Sequence, residues 1–299
     1  METAEYSLMD AAEGAMWWYR ALHVRLLHEL SPVRGRLLDA GCGTGGFLAV
    51  VRSRRRDLET VGLELNESAA LRAAEKSQSH IVRGSVNQPP FPSQSFDAIV
   101  SADVLCHQAV SPQEALSEFF RLLRPGGLLV LNMPAHEWLR SAHDRRVLNA
   151  RRVTRRSLRD MLSKSGFSRI KTRSWNSLLL PLMILRRKLF CRHQEAASDV
   201  APISPWLNMT LYGVSALERW IPIPMPIGGS VMATAVRGPD RQGKSAVIGF
   251  TEKARSDSES DAAQAVADVL DLRIGKLGEH RQTQDLPRDV LRIPTPRRT

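Results

Sequence analysis

Asp39, Gly41, Gly43, Gly45 and Gly46 fall within eight residues, DAGCGTGG at 39–46, directly after a short apolar run. A backbone this bare can adopt positive φ and let a ligand approach closely, and the helix that follows offers N–H groups without intrahelical partners. The loop satisfies G-x-G-x-x-G through Gly41, Gly43 and Gly46, and G-x-G-x-G through Gly41, Gly43 and Gly45. It therefore suits either the pyrophosphate of a dinucleotide or the methionine end of S-adenosylmethionine. Glu64 stands 23 residues beyond Gly41 at the end of the next apolar strand. A carboxylate there accepts hydrogen bonds from both hydroxyls of a ribose, which both ligands possess. Asp39 begins to separate them. An acid beside the loop repels a dianionic pyrophosphate and attracts a methionine ammonium.

The elements that must position these groups alternate. Apolar residues at helical spacing run over 10–30, from Met16 and Trp17 to Leu30. Strands follow at 36–40, 59–65, 81–84, 96–103 and 128–133, with helices to about Arg55, from about Glu67, and over Pro112–Leu123. Arg124-Pro125-Gly126-Gly127 reads as a break. Thr154 to Gly166 reads as a helix, and 167–175 and 230–236 as strands. This alternation implies a parallel sheet covered on both faces.

Charge is unevenly placed in the 299 residues, whose net charge is +11. Residues 140–192 hold 16 Lys or Arg against two acids, Asp144 and Asp160. Residues 177–228 are strongly apolar and interrupted by prolines, and 238–299 are rich in Ser, Gln, Asp and Arg with one aromatic, Phe250. The tail reads as largely disordered, with 261–277 able to form a weak helix. Cys42, Cys106 and Cys191 make neither a zinc spacing nor a disulfide framework. The N-terminus lacks an apolar h-region, and LLLPLMIL at 178–185 is too short to span a bilayer. The expected compartment is the cytoplasm.

LLDAGCGTGGFL, VGLELN, RGSVNQPPFPSQSFDAIVSADVLCH and LLRPGGLLVLNMPA, in this order and spacing, resemble the class I S-adenosylmethionine-dependent methyltransferases over roughly 36–134. With WWYR at 17–20, SAHDRRVLNARRVTRRSL at 141–158 and PIGGSVMA at 226–233, the chain is similar to bacterial methyltransferases of the methyltransferase-11 type. The resemblance implies an α/β, Rossmann-like seven-stranded sheet whose last strand is antiparallel. It implies an N-terminal helical segment at 1–35, a methyltransferase domain at 36–237 with 177–228 inserted as a cap or membrane-surface element, and the tail at 238–299. It also implies S-adenosyl-L-methionine as cofactor. Asp39, Gly41, Gly43 and Gly45 would surround its methionine moiety, Glu64 its ribose, Leu65 its adenine face, and Ser85 and Val86 the adenine edge. Ser85 departs from the Asp the family commonly has there, and a hydroxyl is the weaker acceptor.

Acceptors in such a sheet sit beyond the carboxyl ends of the strands, which selects 103–107 and 132–137. His107 is the preferred general base for a hydroxyl acceptor. His136, His143 and Asp144 follow, the last two either a paired base or a surface turn, and Asp103, counted with the cofactor-binding residues, serves to orient the loop. Trp17, Trp18 and Tyr19 either cover the cofactor or pack. The segment after the fourth strand, ADVLCHQ, lacks the Pro-Pro-aromatic pattern of exocyclic-amine methylases, and Tyr6, Tyr19 and Tyr212 lack the nearby lysine of a nicotinamide oxidoreductase. The expectation is methyl transfer to a small-molecule, lipid-linked or glycolipid acceptor, at oxygen, with an anionic membrane surface as a peripheral partner at the inner face. The alternatives are a non-catalytic S-adenosylmethionine-binding protein and an RNA methyltransferase using the basic 140–192 face. The oligomeric state is left open.

Overall fold

In the computed structural model, residues 3–190, 203–221 and 225–238 are described. The tail at 238–299, and the weak helix expected within it, lie beyond Gly238 and so outside the described residues. Every strand expected from the sequence is present. β1 (Gly35–Ala40), β2 (Leu58–Glu64), β3 (His80–Arg83), β4 (Phe96–Ala102), β5 (Leu123–Pro134), β6 (Phe167–Trp175) and β7 (Ser230–Arg237) form one sheet in the order β3-β2-β1-β4-β5-β7-β6. Pairing is parallel from β3 to β5, and β7 is antiparallel to both β5 and β6. Strand order reverses between β1 and β4. An open α/β sheet has its ligand crevice beyond the carboxyl ends at that switch, and the glycine loop follows β1 there.

Side chains alternate between two cores, as the twofold period of a strand requires. Leu38, Ala40, Ile99, Leu129 and Leu131 face one core, with Leu116 and Phe119 of α5 (Pro112–Leu122) and Leu158 and Leu162 of α7 (Arg155–Lys164). Leu37, Ala98, Val100 and Val130 face the other, with Leu22 and Leu26 of α2 (Trp17–Glu29) and Phe47 of α3 (Gly46–Arg54). α5 stops at Leu122, before the expected helix break at 124–127, and that segment forms a bulge within β5. Its partner register jumps from Phe96↔Leu123 to Ala98↔Leu128, so the strand resumes pairing past Gly126, whose φ is 82°.

The N-terminal pattern expected as one run over 10–30 splits into α1 (Thr3–Ala12) and α2, parted by a turn at 13–16. The insertion forms α8 (Leu180–Phe190) and α9 (Pro205–Leu217). α9 lies on α2. Asn208 accepts from the Trp17 N–H at 2.7 Å and donates to the Ala15 carbonyl, Arg25 donates to the Ser215 carbonyl at 2.8 Å, and the Arg20 guanidinium sits 4.2 Å from the Tyr212 ring centre. Trp18 stacks on Trp175 with ring centres 6.0 Å apart, so of its two readings the packing one holds. α7 and α9 belong to opposite faces of the sheet, which separates the α7 arginines from the insertion.

Candidate cofactor and acceptor site

The glycine loop is as tight as its sequence requires. Gly41 and Gly45 have φ of 85° and 86°. A β-carbon on Gly45 would lie 2.6 Å from the Ala73 Cα of α4 (Glu67–Ser77), and one on Gly41 would lie 2.4 Å from Val104 Cγ2. The second contact matters for chemistry, because Val104 belongs to the loop after β4. The glycine loop and the loop after β4 touch there.

Asp39 is 4% exposed, and among the described residues no hydrogen bond reaches its carboxylate. Burial, with the charges of Glu64 and Glu13 nearby, pushes its pKa up to about 8. Glu64 accepts the Gly43 N–H at 2.9 Å and the Asn66 N–H at 2.9 Å. Glu13, which the sequence did not single out, accepts from the Thr44 hydroxyl at 2.8 Å, pairs with Lys76, and closes on Gly46 at the start of α3, where a β-carbon would lie 2.5 Å from its Oε2. Burial still pushes the Glu13 carboxyl up against these partners. Nothing in the local sequence marks Glu13, since it reaches the loop only through the docking of α1.

This settles which ligand the residues fit. A dinucleotide rests its pyrophosphate on the helix N-terminus after the glycine loop, and here a carboxylate already occupies that terminus. Three carboxylates, Asp39, Glu64 and Glu13, lie at the loop, and among the described residues only Glu13 of the three has a cation, Lys76. A buried acid without a donor is the complement of an ammonium. The residues fit S-adenosylmethionine: Asp39 and the glycine loop for its amino-acid end, Glu64 for its ribose. Leu65, 60% exposed at the crevice rim, is free to lie on an adenine, and the Gly84 N–H bonded to the Glu64 carbonyl sets Ser85 and Val86 beside it.

Residues 38–131 match the family model for the methyltransferase domain. Residues 38–131 carry a methyltransferase domain, and the fold around it is that of S-adenosylmethionine-dependent methyltransferases. It is similar to 24-methylenesterol C-methyltransferase 2 of Arabidopsis thaliana, 32% identical over 127 residues, which is 40% of this chain and 34% of that protein. It is also similar to malonyl-[acyl-carrier protein] O-methyltransferase of Enterobacter lignolyticus, 32% identical over 104 residues, 35% of this chain and 41% of that one. The chain spans about a third of the length of the first curated relatives it matches. An S-adenosylmethionine-dependent methyltransferase from Archaeoglobus fulgidus shares the fold with a TM-score of 0.53 at 15% identity, over 78% of this chain and 99% of that one.

On the acceptor side of the methyltransferase domain, the loop after β4 zips onto residues 144–153. The Ala150 N–H donates to the Cys106 carbonyl at 2.8 Å, the Gln108 N–H to the Leu148 carbonyl at 2.9 Å, and Arg151 to the His107 carbonyl at 2.7 Å. His107 Nδ1 lies 2.9 Å from the Val147 carbonyl. A carbonyl only accepts, so Nδ1 carries the proton and Nε2 keeps its lone pair. Burial lowers the His107 pKa below the ordinary imidazole value, which keeps the ring neutral. His136 stacks on Trp138 with ring centres 5.5 Å apart, its pKa lowered by burial and by Arg152.

The expected His143–Asp144 base is corrected at Asp144. That carboxylate is fully buried; both its oxygens accept from Arg152 Nη2 at 2.9 Å, Oδ1 also accepts from Arg152 Nε at 3.2 Å, and Oδ2 accepts the Ser141 N–H at 2.7 Å. Burial works against its charge, yet Arg152 and Ser141 hold its pKa below the usual carboxylate range, so it is a staple and not a proton acceptor. His143 lies within α6 (Ala142–Arg146), and its side chain is outside the described residues. Asp103 does orient its surroundings. With φ of 56° it accepts from Asn132 Nδ2 at 3.0 Å, while Asn132 Oδ1 accepts the Trp175 indole N–H at 2.8 Å. Burial raises its pKa to about 7 against the opposing pull of Asn132 and Arg152. Asn132 and Trp175 complete a buried relay the sequence did not single out, because their pairing joins β5 to β6.

The two raised carboxyls have a consequence for stability. Folded, Asp39 and Asp103 hold protons that the unfolded chain has released, so stability falls as pH rises through about 7 and 8. Without cofactor, lowering the pH from about 8.5 to about 6.5 is expected to add about 3 kcal/mol, raising Tm by about 6–12 °C. Further acidification turns the effect, because His23, buried with its pKa lowered to about 4, and His107 take up protons only on unfolding. Scanning fluorimetry across pH measures this. A flat profile above about pH 6.5 would mean that both carboxyls ionise normally.

Proposed function

We propose that the chain transfers a methyl group from S-adenosylmethionine to an apolar small-molecule or lipid-linked acceptor, at oxygen. The cofactor supplies an electrophilic methyl group; the chain's own residues hold, align and deprotonate. The observation that carries the reading is the buried Asp39 carboxylate without a donor, beside a helix terminus already taken by Glu13. Asp39 and Glu64 orient the cofactor, Val104 sets the acceptor loop against the glycine loop, and His107 Nε2 takes the acceptor's proton. That loop is held in place by its pairing with 144–153. Support comes from relatives named for a methylenesterol and for malonyl-[acyl-carrier protein].

An anionic membrane surface at the inner face is proposed as a peripheral partner of a cytoplasmic chain. Support comes from the outer face of α9 and the turn after it, where Trp206, Met209, Leu217 and Trp220 are 71, 64, 60 and 80% exposed. The first three recur at helical spacing around Gly213, opposite the face that meets α2. Such a stripe suits the headgroup boundary of a bilayer, and α8 brings Arg186, Arg187 and Lys188 into the same insertion. The RNA alternative has less support. Arg140 and Arg152 are engaged by Glu137 and Asp144, and the shallow groove of about 300 Å³ lined by Arg155, Arg156 and Arg159 borders β6. That strand is four places from β1, roughly 19 Å across the sheet.

Titration calorimetry with S-adenosylhomocysteine and with NADH tests the cofactor assignment: saturable binding of the first alone is expected, and of NADH alone would overturn it. Flotation of the full chain on anionic vesicles at low salt tests the surface, with recovery wholly in the soluble fraction as the contrary result. Transfer of labelled methyl to a lipid extract, lost in His107→Ala while S-adenosylhomocysteine still binds, tests the base.

A further inference from the structure

Tyr6, Met9, Asp10 and Glu13 recur at i, i+3, i+4 and i+7, so they share one face of α1 and its exit. That face lies across the glycine loop. Asp10 and Glu13 both pair with Lys76 of α4, and Glu13 bonds Thr44. Met9 covers Gly43 so closely that a β-carbon there would be 2.7 Å from its methyl. Toward the outer end, the Tyr6 hydroxyl donates to Glu64 Oε1 at 3.3 Å.

Glu64 has a limited number of places to give. A carboxylate offers about four acceptor sites. The Gly43 N–H takes one on Oε2, and the Asn66 N–H and Tyr6 hydroxyl take two on Oε1. One site remains, on Oε2, whereas a ribose gripped by both hydroxyls needs two. The Gly43 and Asn66 bonds are backbone bonds built into the loop and into the turn that opens α4. The Tyr6 bond is the long one, and it comes from a helix end.

We infer that Tyr6 is a further residue of the cofactor site, one that competes with a ribose hydroxyl for Glu64 Oε1 and releases the outer turns of α1 when the ribose binds. This rests on the reading of Glu64 as the ribose carboxylate. Burial and the Glu64 charge push the Tyr6 phenol well above its ordinary pKa, so it remains a donor throughout the working pH range. The inner end of α1, tied by Lys76 and Thr44, stays in place and keeps Glu13 on the start of α3. Met9 then has the freedom to withdraw from the glycine loop as the amino-acid end of the cofactor enters.

The competition has a sign that simple support would not have. Tyr6→Phe removes only the hydroxyl, and it is expected to bind S-adenosylhomocysteine about two- to tenfold more tightly than the parent chain, the range a single net hydrogen bond covers. Hydrogen exchange supplies the second measurement: in the parent chain, S-adenosylhomocysteine is expected to speed exchange of amides around 5–9 while slowing those of 41–46. Equal or weaker binding by Tyr6→Phe, with binding to the parent chain measurable, overturns the inference and leaves the cofactor reading standing. Slower exchange around 5–9 overturns it as well. Failure of both proteins to bind S-adenosylhomocysteine removes the cofactor reading itself, and the inference with it.

Discussion

Asp39→Asn is expected to weaken S-adenosylmethionine binding by two to three orders of magnitude while raising the melting temperature of the cofactor-free protein. The two effects share a cause. In the folded chain the Asp39 carboxyl is buried without a hydrogen bond and close to Glu64 and Glu13, which is why its pKa stands at about 8. Keeping that group costs stability, and an amide, which never has to ionise there, relieves it. Binding reverses the balance. An ammonium placed against Asp39 forms a charge-assisted pair in a dry site, and truncating one partner of such a pair costs about 2–5 kcal/mol. At neutral pH the carboxyl must first release its proton. Calorimetry near pH 7 in buffers of different ionisation heat should therefore show close to one proton released by the parent chain and none by Asp39→Asn. Unchanged affinity in the variant, or the same proton count, would place the ammonium elsewhere.

Arg152→Met is expected to be the most destabilising of the single changes, by about 3–5 kcal/mol, seen as a fall in Tm of roughly 10 °C. Arg152 is 5% exposed in its side chain, and it holds both oxygens of the fully buried Asp144 while donating to the Ala135 carbonyl at 2.9 Å. Removing it strands a buried carboxylate and unties the end of β5 from residues 141–153. The loss should fall on the acceptor side. S-adenosylhomocysteine affinity should stay within a fewfold of the parent value, because Arg152 touches none of the glycine loop, whereas methyl transfer should drop far more. Adding Asp144→Leu to Arg152→Met should restore about half of the lost stability, since the uncompensated charge is then gone. A double variant no more stable than the single one would show that Arg152 acts mainly through Ala135.

The site was legible in the sequence wherever one short segment builds it. Asp39, Gly41, Gly43 and Gly45 belong to one strand–loop–helix unit, and Glu64 to the end of the next strand, so their spacing alone announces a nucleoside crevice. The seven strands were equally readable, because alternation of buried and covered positions is a property of each strand by itself. At 124–127 proline and glycine rightly ended the helix, but could not announce that the segment would be a bulge within the next strand.

What the sequence by itself determined is thus the sheet, the glycine loop and the acid that ends β2: each follows from residues within a few positions of one another. Only the tertiary structure decided between pyrophosphate and ammonium with force, because Glu13 comes to the start of α3 by the docking of a separate helix. It likewise turned Asp144 from a proposed base into a staple, through an arginine eight residues on whose side chain folds back beneath the loop. The physical reason is the same in both cases. A carboxylate's role is set by the charges and donors that burial places around it, and those arrive from parts of the chain whose spacing carries no trace of the meeting.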